Sequence, residues 1–165
     1  MLDRGRILVT GGAGFIGSAL VWALNGKGLT DILIADFLDR SEKWRNLAPL
    51  RFRDYMEADD LSASLDHGAA PLSGVKTVFH LGACSSTTET DAAYLIRNNF
   101  EYTKRLAAWS LANGVRFVYA SSAATYGALE TGLSDERDLH GLRPLNMYGY
   151  SKHLFDLHAS TEGYL

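Results

Sequence analysis

The chain has 165 residues, 47% of them hydrophobic and 21% charged, with a formal net charge of −3; this suits one soluble domain able to bury roughly 70% of its unfolded surface. Basic residues are interleaved with acids, as in Arg51-Phe52-Arg53-Asp54, so nucleic acid is not an expected partner, and no apolar run approaches the ~18 residues of a membrane span, so neither is a membrane. The N-terminus shows no signal-peptide apolar stretch, and a single cysteine, Cys84, permits no internal disulfide and fits a reducing, cytoplasmic location.

Ile7-Leu8-Val9-Thr10 is a short apolar run that reads as a buried parallel strand. It enters Gly11-Gly12-Ala13-Gly14-Phe15-Ile16-Gly17, and Ser18 to Asn25 then carries apolar residues at helical spacing. Glycines at 11, 14 and 17 permit a tight turn, close approach to a pyrophosphate and close helix–strand packing, while the helix N-terminus offers N–H groups and a positive dipole end. The triplet alone also fits an ordinary strand-to-helix turn. The second strand, Asp31 to Asp36, ends in an acid 19 residues after Gly17, the position from which a carboxylate reaches an adenosine ribose. Together they predict a dinucleotide site. Asp36 alone argues for an unphosphorylated ribose, but Arg40 and Lys43 just beyond it are placed to bind a 2′-phosphate by charge-assisted hydrogen bonds. The expected cofactor is therefore NADP, with NAD tolerated; the competing reading of these two cations is a solvated basic face.

Further along, the pattern predicts a short helix around Trp44 and Leu47, a third strand over Phe52–Met56, a helical turn over Asp60–Asp66 and a loop over Gly68–Gly74. A fourth strand, Val75–Leu81, a long helix from Asp91 to Asn113 closed by Gly114, and a fifth strand, Val115–Ala120, follow. No repeat, low-complexity segment or linker marks a second domain, so residues 1–165 are expected to form a single dinucleotide-binding domain. Strands alternating with helices predict an α/β fold with a doubly wound parallel sheet, its ligand at the carboxyl ends of the strands. The candidate segments all follow strands: the glycine turn, Asp36, Gly82 to Ser85, and Ser121-Ser122. His80, inside an apolar strand, is expected to be a hydrogen-bonded core residue, and Cys84 a small packed one with no neighbour in sequence to lower its pKa. The histidines at 67, 140, 153 and 158 show no metal-site spacing. Trp22 and Trp109 are expected to pack.

Near the end stands Tyr148-Gly149-Tyr150-Ser151-Lys152, preceded by the serine-rich strand end Tyr119 to Gly127. Positions i and i+4 share a helix face, and an ammonium beside a phenol, whose pKa is ordinarily about 10, favours the ionised form that serves as a general base. Ser122 is then the hydroxyl candidate to orient a substrate alcohol or ketone. Alone, the Tyr/Lys spacing also fits a surface ion beside a half-buried aromatic.

With these motifs in place, the chain resembles the extended short-chain dehydrogenase/reductases that act as nucleotide-sugar epimerases and dehydratases. The segments Gly82 to Glu89, Tyr119 to Gly127 and Pro144 to Lys152 are most similar to the ADP-heptose 6-epimerase branch, which serves lipopolysaccharide core synthesis. The resemblance implies a Rossmann fold, catalytic roles for Ser122, Tyr148 and Lys152, and cofactor contacts from Phe15, Ile16, Asp36, Phe37, Lys43, Asn98, Tyr148, Lys152 and the run Leu81, Gly82, Ala83, Cys84 and Ser85. It implies an ADP-sugar substrate and inversion at C6″ through transient oxidation and re-reduction; a homo-oligomer is possible. A UDP-hexose 4-epimerase and a non-catalytic dinucleotide-binding module are the alternatives. Sugar 4,6-dehydratases carry an Asp-Glu pair after the catalytic hydroxyl residue, whereas Ala123-Ala124 follow Ser122 here, leaving no local acid for elimination. Two departures stand out. The family usually has asparagine after the ribose-binding acid where this chain has Phe37, and its members are roughly twice as long. The chain thus reads as the N-terminal part of a longer enzyme, without the last strands, the sugar-binding domain and a further acid/base lysine, and is expected to be inactive alone.

Overall fold

The computed structural model describes residues 5–66, 70–128 and 133–164. Its strands β1 (Arg6–Thr10), β2 (Ile32–Asp36), β3 (Asp54–Glu57), β4 (Val75–His80) and β5 (Arg116–Tyr119) form one parallel sheet in the order β3-β2-β1-β4-β5. The chain builds outward from β1 to β3, then returns to place β4 on the other side of β1. The carboxyl ends of β1 and β4 therefore flank the point where the strand order reverses, which is where open α/β sheets bind ligands.

The inner strands β1, β2 and β4 are largely apolar because the middle of the sheet is buried on both faces. Every residue of β2, Ile-Leu-Ile-Ala-Asp, is buried. Ile7, Val9, Ile32 and Ile34 meet Val21 and Leu24 of α1 (Phe15–Gly26) and Leu47 of α2 (Trp44–Leu47) in one cluster, while the alternate residues Leu8, Leu33 and Val78 are equally buried. Arg105 of α5 (Tyr102–Ala112) donates to the Ser62 side chain and carbonyl of α3 (Ala58–Asp66) at 2.8 and 2.7 Å. His80 is a core residue as expected, its Nδ1 2.7 Å from Thr10 Oγ1.

The expected elements are present, with several differences. The third strand begins two residues later than its apolar residues suggest, because pairing with β2 starts at Leu33 opposite Asp54. The helix of Asp60–Asp66 begins earlier, at Ala58. The expected loop contains a single 3-10 turn, Ala70–Leu72, and its first residues, Gly68 and Ala69, lie outside the described residues. The long helix is not uniform: α4 (Ala92–Leu95) passes into a π-helical segment, Ile96–Glu101, before α5. Trp22 does not pack. It is 71% exposed, since the buried stripe of α1 runs through Gly17, Val21 and Leu24 and the next residue after Val21 is turned ~100° away.

Two compact units make up the chain: Met1–Gly82 with Arg105–Tyr119, and Ala83–Lys104 with Ala120–Leu165. The first contains the entire sheet. The second contains the loops that follow β4 and β5, α4, the π-helical segment and α6 (Met147–Thr161). No helix of the described residues is long and apolar enough to cross a membrane.

Candidate functional site

In the first unit the glycine turn joins β1 to α1. Gly11 has φ +68, and a Cβ there would lie 2.7 Å from the backbone nitrogen of Gly82 at the end of β4; a Cβ on Gly17 would fall on the Gly11 carbonyl oxygen. These two positions need glycine, for conformation and for close approach respectively. Gly14 is the N-cap of α1, and no side chain caps the helix. The first-turn N–H groups of α1 thus remain for an anion. Phe15 and Ile16, at that helix start, are 88% and 67% exposed.

Asp36 closes the turn from β2. Its Oδ2 accepts from the Ala13 N–H at 2.8 Å, and its Oδ1 from the Phe37 N–H at 2.7 Å and Lys43 Nζ at 2.8 Å. A carboxylate offers about four lone-pair sites, so this one holds the loop and keeps acceptor capacity for a ligand hydroxyl. Asp36 is only 8% exposed, and Lys43 compensates its buried charge. Arg40 is exposed. Tyr55 braces the strand end by donating to the Asp36 carbonyl at 2.8 Å; burial and the neighbouring Glu57 carboxylate push its phenol far above the ordinary range. A pyrophosphate fits this cradle of small residues, uncapped helix end and neutralised acid.

The second unit holds the remaining candidates. Ser122, in extended conformation, caps a 3-10 turn (Ala123–Thr125), its Oγ accepting from the Ala124 N–H at 3.2 Å. Its own O–H is left to donate. Asn146 caps α6 by accepting from the Gly149 N–H at 2.7 Å, which starts the helix in time to place Tyr148 and Lys152 one turn apart on one face. Gly149 lets α6 sit against the Ser122 turn, since a Cβ there would lie 2.6 Å from the Ala124 carbonyl oxygen. Tyr148 is half-buried and Lys152 only 4% exposed. Burial lowers the Lys152 ammonium from its ordinary 10.5 to about 8, with the Asp156 carboxylate pulling the other way.

Of the expected residues after β4, Leu81, Gly82, Ala83 and Cys84 are half-buried and Ser85 exposed. Asn98 turns its amide onto its own helix, donating to the Tyr94 carbonyl at 2.9 Å. Its neighbour does more. Asn99, fully buried, accepts from the Cys84 N–H at 2.8 Å and donates to the Cys84 carbonyl and to Ser151 Oγ, both at 3.0 Å. Ser151 in turn donates to the Tyr148 carbonyl at 2.7 Å. One amide therefore ties the loop after β4 to the helix that carries Tyr148.

A profile of the NAD dependent epimerase/dehydratase family matches residues 7–161. The chain belongs to that family. It is 52% identical over 159 residues to the ADP-L-glycero-D-manno-heptose-6-epimerase of Nitratidesulfovibrio vulgaris, covering 96% of this chain and 49% of the relative. Among solved structures it is similar to the ADP-L-glycero-D-manno-heptose-6-epimerase of Helicobacter pylori, with TM-score 0.82, 25% identity and coverage of 98% of this chain and 52% of that one. The UDP-glucose 4-epimerase of Brucella ovis, solved in complex with NAD, matches with TM-score 0.74, 29% identity and coverage of 98% and 48%. The chain spans about half the length of the relatives it matches.

Two site residues of this family member escaped the sequence reading. Asn46, on α2, donates to the Ala13 carbonyl at 2.8 Å, so the middle of the glycine turn is fastened by Asp36 on its N–H and Asn46 on its carbonyl. Asn99 is the other. Neither lies in a pattern with a local signal, because each acts on backbone far away in sequence.

Proposed function

We propose that the chain is the cofactor-binding and acid/base portion of an ADP-heptose 6-epimerase, working on an ADP-sugar in the cytoplasm. The observation that carries this reading is the 52% identity to the N. vulgaris epimerase across nearly the whole chain, joined to the Tyr148, Lys152 and Ser122 arrangement. As a single dinucleotide-binding domain it takes a nicotinamide cofactor, the pyrophosphate at the start of α1 and the adenosine ribose at Asp36. We read the preference as NADP over NAD: Lys43 already neutralises Asp36, which removes much of the repulsion a 2′-phosphate would meet, and exposed Arg40 adds a second cation.

When bound, the nicotinamide supplies reversible hydride acceptance at C6″. Tyr148 takes the C6″ hydroxyl proton as that carbon becomes a ketone and returns a proton once the sugar has presented its other face. Lys152, mostly charged at pH 7 with a pKa of about 8, holds a positive charge on the helix face it shares with Tyr148. Ser122, whose oxygen already accepts from Ala124, donates its O–H to the substrate oxygen. Net redox is zero, and one stereocentre is inverted.

Similarity to UDP-hexose 4-epimerases at 29% identity supports the second reading, a UDP-sugar substrate. Turnover of ADP-heptose and UDP-glucose should be measured for the 165-residue chain and for the chain extended with the second half of the N. vulgaris relative. We expect the extended protein to epimerise ADP-heptose, and the 165-residue chain to bind NADP weakly without turnover. Turnover of UDP-glucose alone would overturn the reading.

A further inference from the structure

Asp156 takes no part in the roles assigned so far, yet it is a buried carboxylate, 6% exposed. It stands on α6 four residues after Lys152, so the two share a helix face, and Lys152 is itself 4% exposed. A buried ammonium with no anion beside it tends to lose its proton. Asp156 is held from a second direction: Ser121 Oγ donates to its Oδ2 at 2.6 Å. Ser121 directly precedes Ser122, so a single carboxylate clasps the segment carrying the candidate hydroxyl to the helix carrying Tyr148 and Lys152. All of these residues lie in the second compact unit.

The other ionisable groups around Asp156 do not displace this role. His153, adjacent to Lys152, is 4% exposed with no partner for Nδ1. Burial holds its ring below the ordinary value, with Asp156 opposing that shift and His140 and Arg143 reinforcing it. It therefore sits neutral at pH 7 and leaves the carboxylate to Lys152. Tyr126, on the turn after Ser122, also feels Asp156, but its phenol is raised chiefly by its hydrogen bond to Asp135 and stays neutral. On Lys152 itself, the charged group that counters burial is Asp156.

We propose that Asp156, anchored by Ser121, is the positioning residue that keeps the Lys152 ammonium charged on the helix face it shares with Tyr148. The proposal rests on the reading of Tyr148 and Lys152 as the acid/base pair. A merely structural carboxylate would hold the fold without setting the pH at which Lys152 titrates.

The test is a pH titration of the 165-residue chain carrying lysine labelled with 13C at Cε, observed by NMR. The chain has five lysines, and loss of one signal in Lys152→Met assigns the site. Asp156→Asn should lower the Lys152 midpoint by at least about one pH unit, the low end for loss of a close opposite charge. The other four lysines should keep their midpoints. Ser121→Ala should lower the Lys152 midpoint by less, and Asp156→Glu should restore most of it. A Lys152 midpoint in Asp156→Asn within about 0.3 unit of wild type, a small fraction of that expected shift, overturns the proposal. Should Asp156→Asn fail to fold, an unmoved midpoint in Ser121→Ala overturns it equally. No substrate enters the titration, so an unmoved midpoint defeats this proposal alone, whereas absent ADP-heptose turnover by the extended protein defeats the functional reading alone.

Discussion

Lys152 is a charged group folded into a buried place, and the cost should be measurable as stability. Its pKa falls from 10.5 in the unfolded chain to about 8 in the folded one, a difference that already includes the attraction of Asp156. Below pH 8 both states carry the proton and the folded state bears the full cost; above 10.5 neither does, and the cost is gone. Between those limits the unfolded chain binds more protons, so this group makes stability rise with pH. At ~1.36 kcal/mol per pKa unit the full cost is about 3 kcal/mol, of which about 2 kcal/mol is relieved by pH 9.5. Lys152→Met deletes the group and keeps an unbranched apolar stem in the same space. Urea denaturation followed by far-UV circular dichroism at pH 7 and pH 9.5, on wild type and variant, compares how the stability of each changes with pH. Lys152→Met also leaves Asp156 buried without its counter-charge, a cost present at both pH values; relative to wild type, the variant's stability should therefore fall by about 2 kcal/mol between pH 7 and pH 9.5. A stability difference independent of pH would refute the depressed pKa, and with it the picture of Lys152 as a buried cation.

Tyr148→Phe in the extended protein should keep cofactor affinity and lower kcat at least ~100-fold, the low end for a positioned acid/base; more than a tenth of wild-type kcat would reject the assignment. Gly149→Ala drives a Cβ to 2.6 Å from the Ala124 carbonyl oxygen and should lower the urea-derived stability by ~1–3 kcal/mol, an unchanged midpoint meaning that α6 does not press on the Ser122 turn. Asn99→Ala strips both backbone groups of Cys84 of their partner and should cost about 3 kcal/mol, with faster amide exchange at Cys84 as its signature. The Arg40→Ala/Lys43→Ala double variant should lose its NADP preference over NAD in paired fluorescence titrations; a preference that survives would remove both cations from the 2′-phosphate.

Much of this arrangement is legible in the chain because its signals are local. Three apolar residues and a threonine running into three spaced glycines, with an acid closing the next strand, specify a strand, a turn and a helix start that need nothing distant to explain them. The same holds for Tyr148 and Lys152, whose spacing becomes a shared face as soon as Asn146 caps α6. Where the reading failed, the cause was tertiary or a wrong weighting of local information. Trp22 is expected to pack as an aromatic on a helix, although the period through Gly17, Val21 and Leu24 already points it outward. The π-helical turn has no propensity signal; it coincides with Asn99, whose amide satisfies a backbone in another segment 15 residues away, and such turns recur where a helix must aim a side chain. Asp156 is the strongest case. In sequence it is one acid among 19 Asp and Glu residues, four positions after Lys152, and only the fold shows that both are buried and that Ser121 donates to its carboxylate. A motif thus names candidate groups for the chemistry, while their burial and the distant residues that brace them, Ser121 on Asp156 and Asn99 on Cys84, emerge only once the chain has brought separate segments into contact.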